Sequence, residues 1–358
     1  MRGRMKGLGL LLLIGLLPGC SSLSYLHHSW QGQRDLLARA EPLEQVLQDP
    51  ATDPQLATRL RHAQRIRAYA SSHLQLPDNA SYARYADLQR PYALWNLFVT
   101  APLSMDAVAH CYPFFGCIAY KGYFDQATAE AAAAQWRDEG MEVYVAGIPA
   151  YSTLGWYDDP LLNSMLHWDD NYLAELLFHE LAHQQFYVKD DTAFNESFAT
   201  FVGQQGLREW RAEQGLDALQ TDPKQQEREF VQLLLQAREQ LVQLYASDLG
   251  DAAKLTAKAA VFAQLRRDFQ HWRDTRWAGD GRYDHWFAGE LNNARLLPFG
   301  LYDQWVPVFA QLFAASSGWP DFYQRVEALG DLPPAAREAR LQELRQSAAD
   351  GASEAQSD

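Results

Sequence analysis

Five consecutive residues, His179-Glu180-Leu181-Ala182-His183, set two imidazoles four positions apart with a carboxylate beside the first. Another acid, Glu196, follows within Asn195-Glu196-Ser197-Phe198-Ala199-Thr200. On an α-helix, residues i and i+4 lie one above the other on the same face, so both rings point at one spot. Two such histidines and a third protein ligand make the donor set of a tetrahedral zinc site whose fourth position is left for water, and zinc lowers the pKa of that water to about 7. Glu180 lies about 100° round the helix from His179, given ~3.6 residues per turn, where it can take the water's proton. The expected centre therefore has His179, His183 and Glu196 as ligands, Zn2+ as the ion and Glu180 as general base. The alternative is a pair of core histidines satisfied by hydrogen bonds. Leu173, Ala174, Leu176, Leu177 and Phe178 argue against it, because they are apolar on nearly every face. Ionisable groups on so buried a helix cost free energy unless they are paired or bind a metal.

The elements that must position these groups are mostly helical. Trp30 to Ala40, Leu43 to Leu47 and Gln55 to Leu74 read as helices broken by Pro42, Pro50 and Pro54. Tyr92 to Val99, Ile118 to Phe124 and Glu142 to Ile148 are short aromatic or β-branched runs that predict strands, with a helix at Gln126 to Glu139. Asp169, Asp170 and Asn171 supply N-caps for the motif helix. Phe194, Phe198 and Phe201 recur at helical spacing and bury one face of the helix that carries Glu196. A long amphipathic helix starts at Asp222-Pro223, with Phe230, Leu234, Ala237, Leu241 and Leu244 as a packing stripe. The predicted class is α+β and predominantly α-helical, with a small sheet before a zinc-binding helix, as in zincins. From the last strand, Gly147-Ile148-Pro149-Ala150-Tyr151 leads towards the motif. Ile148, Ala150 and Tyr151 are expected to bind substrate backbone by strand addition, since Pro149 suits an edge; an ordinary loop is the alternative.

The chain has a formal net charge of −14, or −17 without the three basic residues near its start. Such a balance repels nucleic acid and anionic lipid surfaces and favours amine-bearing ligands. A hydrophobic fraction of 47% with 11 Trp predicts a well-filled core. Arg2, Arg4 and Lys6 precede an apolar run, Leu8 to Leu17, too short to span a bilayer, and Leu17-Pro18-Gly19-Cys20 follows. This resembles a bacterial lipobox. Residues 1–19 are then a lipoprotein signal peptide, Cys20 the lipidated first mature residue and 20–28 a lipid-anchored tether. Residues 29–334 form the metal-binding domain with an N-terminal helical arm, and 335–358 a polar, partly disordered tail. Ser21 fits sorting to the outer membrane, facing the periplasm of the bacterial cell envelope. In that oxidising compartment Cys111 and Cys117 are expected to close a short disulfide loop, two buried thiols being the alternative.

From the lipobox to about Gln311 the chain resembles the "putative aminopeptidase" family of bacterial lipoproteins, a gluzincin-like group. The matching stretches are Leu76-Pro77-Asp78-Asn79-Ala80-Ser81-Tyr82, Cys111 to Tyr123, Val145 to Pro160, Phe178 to Thr200, and Leu291-Asn292-Asn293-Ala294-Arg295. The resemblance implies zinc ligation by His179, His183 and Glu196, with Glu180 as catalytic acid and base. Only twelve residues separate His183 from Glu196, fewer than in thermolysin-like peptidases. Thr200 stands where those enzymes carry an aspartate that orients a zinc histidine, so Asp169, Asp190 and Asp191 become candidates for that task. Phe186 and Lys189 occupy the positions of the glycine and third histidine of metzincins and exclude that arrangement. The expected reaction is peptide-bond hydrolysis, with a peptide or protein as substrate and the membrane as a partner through lipid on Cys20. Tyr302 is the expected oxyanion donor, ahead of Tyr151 and His167. Asp158, Asp159 and Glu290 are candidates for the substrate's α-ammonium group. An endopeptidase of envelope quality control and a non-catalytic, zinc-stabilised lipoprotein are the alternatives.

Overall fold

The computed structural model describes residues 19–112, 116–150, 152–216, 225–299 and 304–354. The basic and apolar leader up to Pro18 lies outside them, as do Tyr151, Asp222, Pro223, Tyr302 and the last four residues. The chain is α+β and predominantly helical. Helix α1 (Gly19–Ala38) contains Cys20 and runs through the Ser21 to His28 stretch expected to be a tether. Among the described residues no helix is long and apolar enough to cross a membrane. After β1 (Glu41–Pro42) and α2 (Leu43–Gln48) comes α3 (Pro54–Ser72), whose N-cap Asp53 accepts from the Gln55 and Leu56 amides while Pro54 opens the first turn.

Strand β2 (Arg84–Ala86) pairs antiparallel with β1 and parallel with β8 (Leu161–Leu162) in a small sheet. The larger sheet is antiparallel and centred on β3 (Leu94–Thr100), between β6 (Lys121–Tyr123) and β7 (Glu142–Ile148). Its register runs from Leu94 opposite Ile148 to Thr100 opposite Glu142. A hairpin of β4 (His110–Tyr112) and β5 (Gly116–Ile118) stands apart, with Cys111 opposite Cys117 and their sulfurs 2.03 Å apart. The run expected as one strand, Ile118 to Phe124, is thus divided between β5 and β6, which belong to different sheets, with a bend at Ala119 and Tyr120.

Alternation along β3 separates two cores. Trp95, Leu97 and Val99 pack with Ala129 and Ala133 of α4 (Gln126–Asp138), whereas Phe98 joins the opposite side. There it meets Phe230, Leu234 and Leu241 of α7 (Gln225–Ala246) and Phe262, Leu265 and Phe269 of α8 (Asp251–Thr275), so the long amphipathic helix is a packing element. Short helices α9 (Asp284–Ala288) and α10 (Asn293–Leu296) close that core. The main core surrounds α5 (Asp170–Gln185) and α6 (Thr192–Glu213), backed by α11 (Val306–Ala314), α12 (Trp319–Gly330) and α13 (Pro334–Glu354).

Helix α13 corrects the expectation of a polar tail. Leu341 is fully buried, and Arg337, one turn earlier on the same face, is 4% exposed. Arg337 Nε lies 2.7 Å from Asp191 Oδ2. Its Nη1 donates to the carbonyls of Gly330 and Leu332. Leu341, with the partly buried Leu344, and one satisfied charge therefore dock a helix whose composition reads as solvent-exposed.

Candidate metal centre

Helix α5 begins where Asp169 accepts from the amides of Asn171 and Tyr172, at 2.9 and 3.0 Å. After α5 ends, the chain turns back through Asp190, whose φ is +62°. Asp191 then caps α6 by accepting from the Phe194 amide at 3.1 Å. Asn195 pins the turn from inside: its Oδ1 accepts from the Val188 amide at 2.8 Å and its Nδ2 donates to the Val188 carbonyl at 2.7 Å. The next residue is Glu196. Helix α6 approaches α5 closely because Gly203 and Gly206 lack a Cβ. A Cβ on Gly203 would stand 2.9 Å from the Glu175 carbonyl oxygen, and one on Gly206 2.8 Å from the Phe178 ring.

The result is a triangle of donors. His179 Nε2 and His183 Nε2 are 3.2 Å apart, and Glu196 Oε2 lies 3.4 Å from the first and 3.6 Å from the second. Ligands about 2.1 Å from a common ion at tetrahedral angles stand about 3.4 Å from one another, so these spacings fit zinc. The donor chemistry fits as well: two imidazoles and a carboxylate form a common zinc ligand set, and this trio is the group of potential metal ligands found among the described residues.

Glu180 and His183 are each 7% exposed. Burial pushes the Glu180 carboxyl up from its ordinary value; the charges of His179 and His183 oppose the shift and that of Glu196 adds to it. At His183, burial favours the neutral ring, yet the charge and hydrogen bond of Glu196 and the charge of Glu180 win and raise its pKa. At Glu196, burial favours the neutral acid, but the His183 charge and the hydrogen bonds of both imidazoles hold the carboxyl well below the usual carboxylate range. His183 Nδ1 is buried without a hydrogen-bond partner among the described residues.

None of the aspartates expected to orient an imidazole does so. Asp169 and Asp191 are spent on the caps just described, Asp191 also on Arg337, and Asp190 Oδ1 accepts from the Cys117 amide at 3.3 Å. Backbone amides of the turn and helix starts lie nearer to these short side chains than the imidazoles do. The expected substrate strand is also corrected. Strand β7 does lie at an edge. Ile148 is opposite Leu94 and its carbonyl accepts from the Ala93 amide at 2.8 Å, so its backbone points into the sheet. Ala150 is 6% exposed inside the main core. The Asn292 side chain covers the outer edge at the Val143 carbonyl, 3.1 Å away.

Tyr151 and Tyr302 lie outside the described residues, and His167 is exposed just before α5. Of the three acids considered for an ammonium group, Asp158 and Glu290 are exposed whereas Asp159 is 4% exposed. Asp159 accepts from the Thr153 amide and hydroxyl, both at 2.8 Å. Burial pushes its pKa up to about 6 against those hydrogen bonds, and the charge of Glu180 adds to the rise.

Three tyrosines not singled out from the sequence feel the charge of the centre's carboxylates. Tyr172 lies in the field of Glu227, Glu175 and Glu180, Tyr187 in that of Glu196 and Asp190, and Tyr120 in that of both Glu196 and Glu180. Burial is the first cause that raises the pKa of each. No local sequence signal marks Tyr120, which lies at the bend between β5 and β6. Tyr172 could have been found: it sits on the motif helix, two turns before His179.

Fold and site together define a mainly helical protein with a candidate mononuclear metal centre between two helices. The chain belongs to the family described as "Putative aminopeptidase", which it matches over residues 24–341. The family's description names a peptidase. No curated protein and no solved structure matches the chain.

Proposed function

We propose that this chain is a zinc-dependent aminopeptidase of gluzincin type, held by lipid on Cys20 at the bacterial outer membrane and facing the periplasm. The observation that carries the reading is the convergence of His179, His183 and Glu196 at zinc-ligand spacing beside a buried Glu180. Zinc held there would supply a Lewis acid for the scissile carbonyl and lower the pKa of a water. Glu180, whose affinity for a proton is raised by burial, accepts one proton from that water and delivers it to the departing amine. Water is thereby added across the amide, its oxygen to the acyl carbon and a hydrogen to the nitrogen. Asp159 offers a buried carboxylate in the field of Glu180 to the substrate's α-ammonium group. The family description supports the exopeptidase choice. The sequence Leu17-Pro18-Gly19-Cys20 supports the anchor, and the Cys111 to Cys117 disulfide suits an oxidising compartment.

Metal analysis by mass spectrometry, together with cleavage of a peptide library with free and acetylated N-termini, tests the reading. One zinc per chain and cleavage only of free N-termini is the expected result. Cleavage of acetylated peptides at internal bonds would make it an endopeptidase, and zinc without any cleavage would make it a non-catalytic lipoprotein. Intact mass of the membrane-extracted protein tests the acyl group on Cys20.

A further inference from the structure

Helix α1 has two unlike faces. On the inner one the Tyr25 hydroxyl donates to the Gly122 carbonyl at 2.9 Å, and the Tyr25 ring meets that of Tyr123 with centroids 5.7 Å apart. Gly32 comes so close to the sheet that a Cβ there would collide with the Phe124 ring, and Leu36 is buried in the main core. Positions 25, 32 and 36 share one side of a helix with ~3.6 residues per turn, so α1 is docked on the domain along most of its length.

Away from that side, Leu26 and Trp30 lie one turn apart and are 44% and 54% exposed. His27 stacks on the Trp30 ring, and the Arg34 guanidinium lies over the same ring, 5.0 Å from its centroid. Polarity along α1 is graded. From Gly19 to Gln33 it holds no Asp, Glu, Lys or Arg, and its first charges are Arg34 and Asp35. The excess negative charge of the chain is therefore carried elsewhere, and this face is not repelled by lipid. A Trp ring with an apolar body and a polar edge favours the boundary between bilayer and water, and an Arg beyond it can reach the headgroups.

We propose that the face of α1 around Leu26 and Trp30 rests in the headgroup layer of the bilayer that receives the acyl chain on Cys20, and so gives the domain a fixed orientation on the membrane. The inference rests on the anchor reading above. Continuity identifies the occupant: Cys20 lies in the same helix, ten residues before Trp30, or about 15 Å along the axis at ~1.5 Å per residue. Lipid on Cys20 brings this face to the bilayer, and a docked helix does not let the domain swing free. One acyl chain alone holds a protein only marginally, and a second contact makes the hold stable. Trp156 is 71% exposed and Trp168 47%, but neither stands on the element that bears Cys20.

The test uses the full acylated protein in vesicles of phosphatidylethanolamine and phosphatidylglycerol whose chains are brominated next to the headgroup, so that only tryptophans at that depth lose fluorescence. The wild type should show a quenched component, Trp30→Phe should lack it, and Trp156→Phe and Trp168→Phe should keep it. Leu26→Glu sets a charge on the same face and should cut the component at least about twofold. The proposal is overturned by an acylated wild type with no quenched component, by its persistence in Trp30→Phe, by its loss in Trp156→Phe or Trp168→Phe, or by no change in Leu26→Glu. An intact mass that shows Cys20 without an acyl group defeats the anchor reading itself and this inference with it, whereas an acylated protein without quenching defeats this inference alone.

Discussion

Two clusters of buried polar groups lie in the two larger cores, and they are satisfied differently. Beside α7 and α8, Lys258 is 7% exposed, and its Nζ donates to the Pro102 carbonyl at 2.8 Å and pairs with Glu142. The other Glu142 oxygen accepts from the Asn293 amide at 2.7 Å, the Asn293 side chain donates to the carbonyls of Pro102 and Ser104, and Tyr245 donates to Asn293. Every charge in that knot has an internal partner of the right kind. Between α5 and α6, by contrast, two imidazole nitrogens face each other and a carboxylate oxygen, and His183 Nδ1 has no partner among the described residues. Desolvated polar groups persist when something satisfies them. The first cluster is satisfied by the chain, so its role is to join the sheet to the second helical layer. The second has the donor set that a metal ion would complete.

The comparison breaks most sharply on substitution. His183→Ala should abolish zinc binding and with it all peptide cleavage. Glu180→Gln should keep zinc and lose about 10² to 10⁴ in rate, because proton transfer is separable from coordination. Metal analysis and single-turnover assays on the same preparations check both, and equal zinc loss in the two variants contradicts the role given to Glu180. Lys258→Met should do the opposite. It leaves the partly buried Glu142 without its cation and should lower stability by about 1 to 3 kcal/mol, read by denaturant unfolding, while zinc affinity stays at the wild-type value. Zinc loss there would mean that the two clusters are one unit.

Legibility in the sequence follows the same division. The candidate metal donors lie within the span from His179 to Glu196, and helical periodicity fixes where each side chain points; Glu142 to Ile148 likewise reads as the strand it is. The rest is assembled from afar. Tyr120 is placed by the pairing of β6 with β3 and by a hairpin docked on Asp190, and neither contact leaves a local periodicity. Asp159 is one acid among 45, distinguished only by the burial that Thr153 and the main core impose. Arg337 is hidden by an Ala, Glu and Arg composition typical of exposed helix, although it pairs with Asp191 across 146 residues of chain. The aspartates near the motif mislead for a local reason, since helix caps and a backbone amide already claim them.

Asp159 gives a pH test of intermediate size. Its pKa is raised from 3.8 to about 6 in the folded protein, so between about pH 4 and pH 6 the native state holds more protons than the unfolded chain. Stability should therefore fall as pH rises through that window, by about 2 to 3 kcal/mol at most, and recover on acidification until other carboxylates protonate. Asp159→Asn should flatten this slope in denaturant unfolding measured from pH 4 to pH 7. A wild-type stability that climbs across the window with the same slope in the variant would remove Asp159 from the buried acids that shape the site.

The smallest expected effect separates the two glycines of the helix contact. At Gly203 an added methyl meets the Glu175 carbonyl oxygen at 2.9 Å, and the His179 Cβ lies 3.5 Å away. Backbone cannot rotate aside, so Gly203→Ala must move α6 against α5 beside His179. At Gly206 the nearest atoms belong to the side chains of Leu74 and Phe178, at 2.6 and 2.8 Å, and not to the backbone. Both changes should lower stability by about 1 to 2 kcal/mol through overpacking. Only Gly203→Ala should also weaken zinc, by a few-fold to about tenfold in a competitive chelator titration, because only there does the displacement reach the donor triangle. Equal zinc affinities in the two variants would show that the triangle tolerates a shift between its helices, and that its geometry depends on the Val188 to Asp191 turn more than on the packing of α5 on α6.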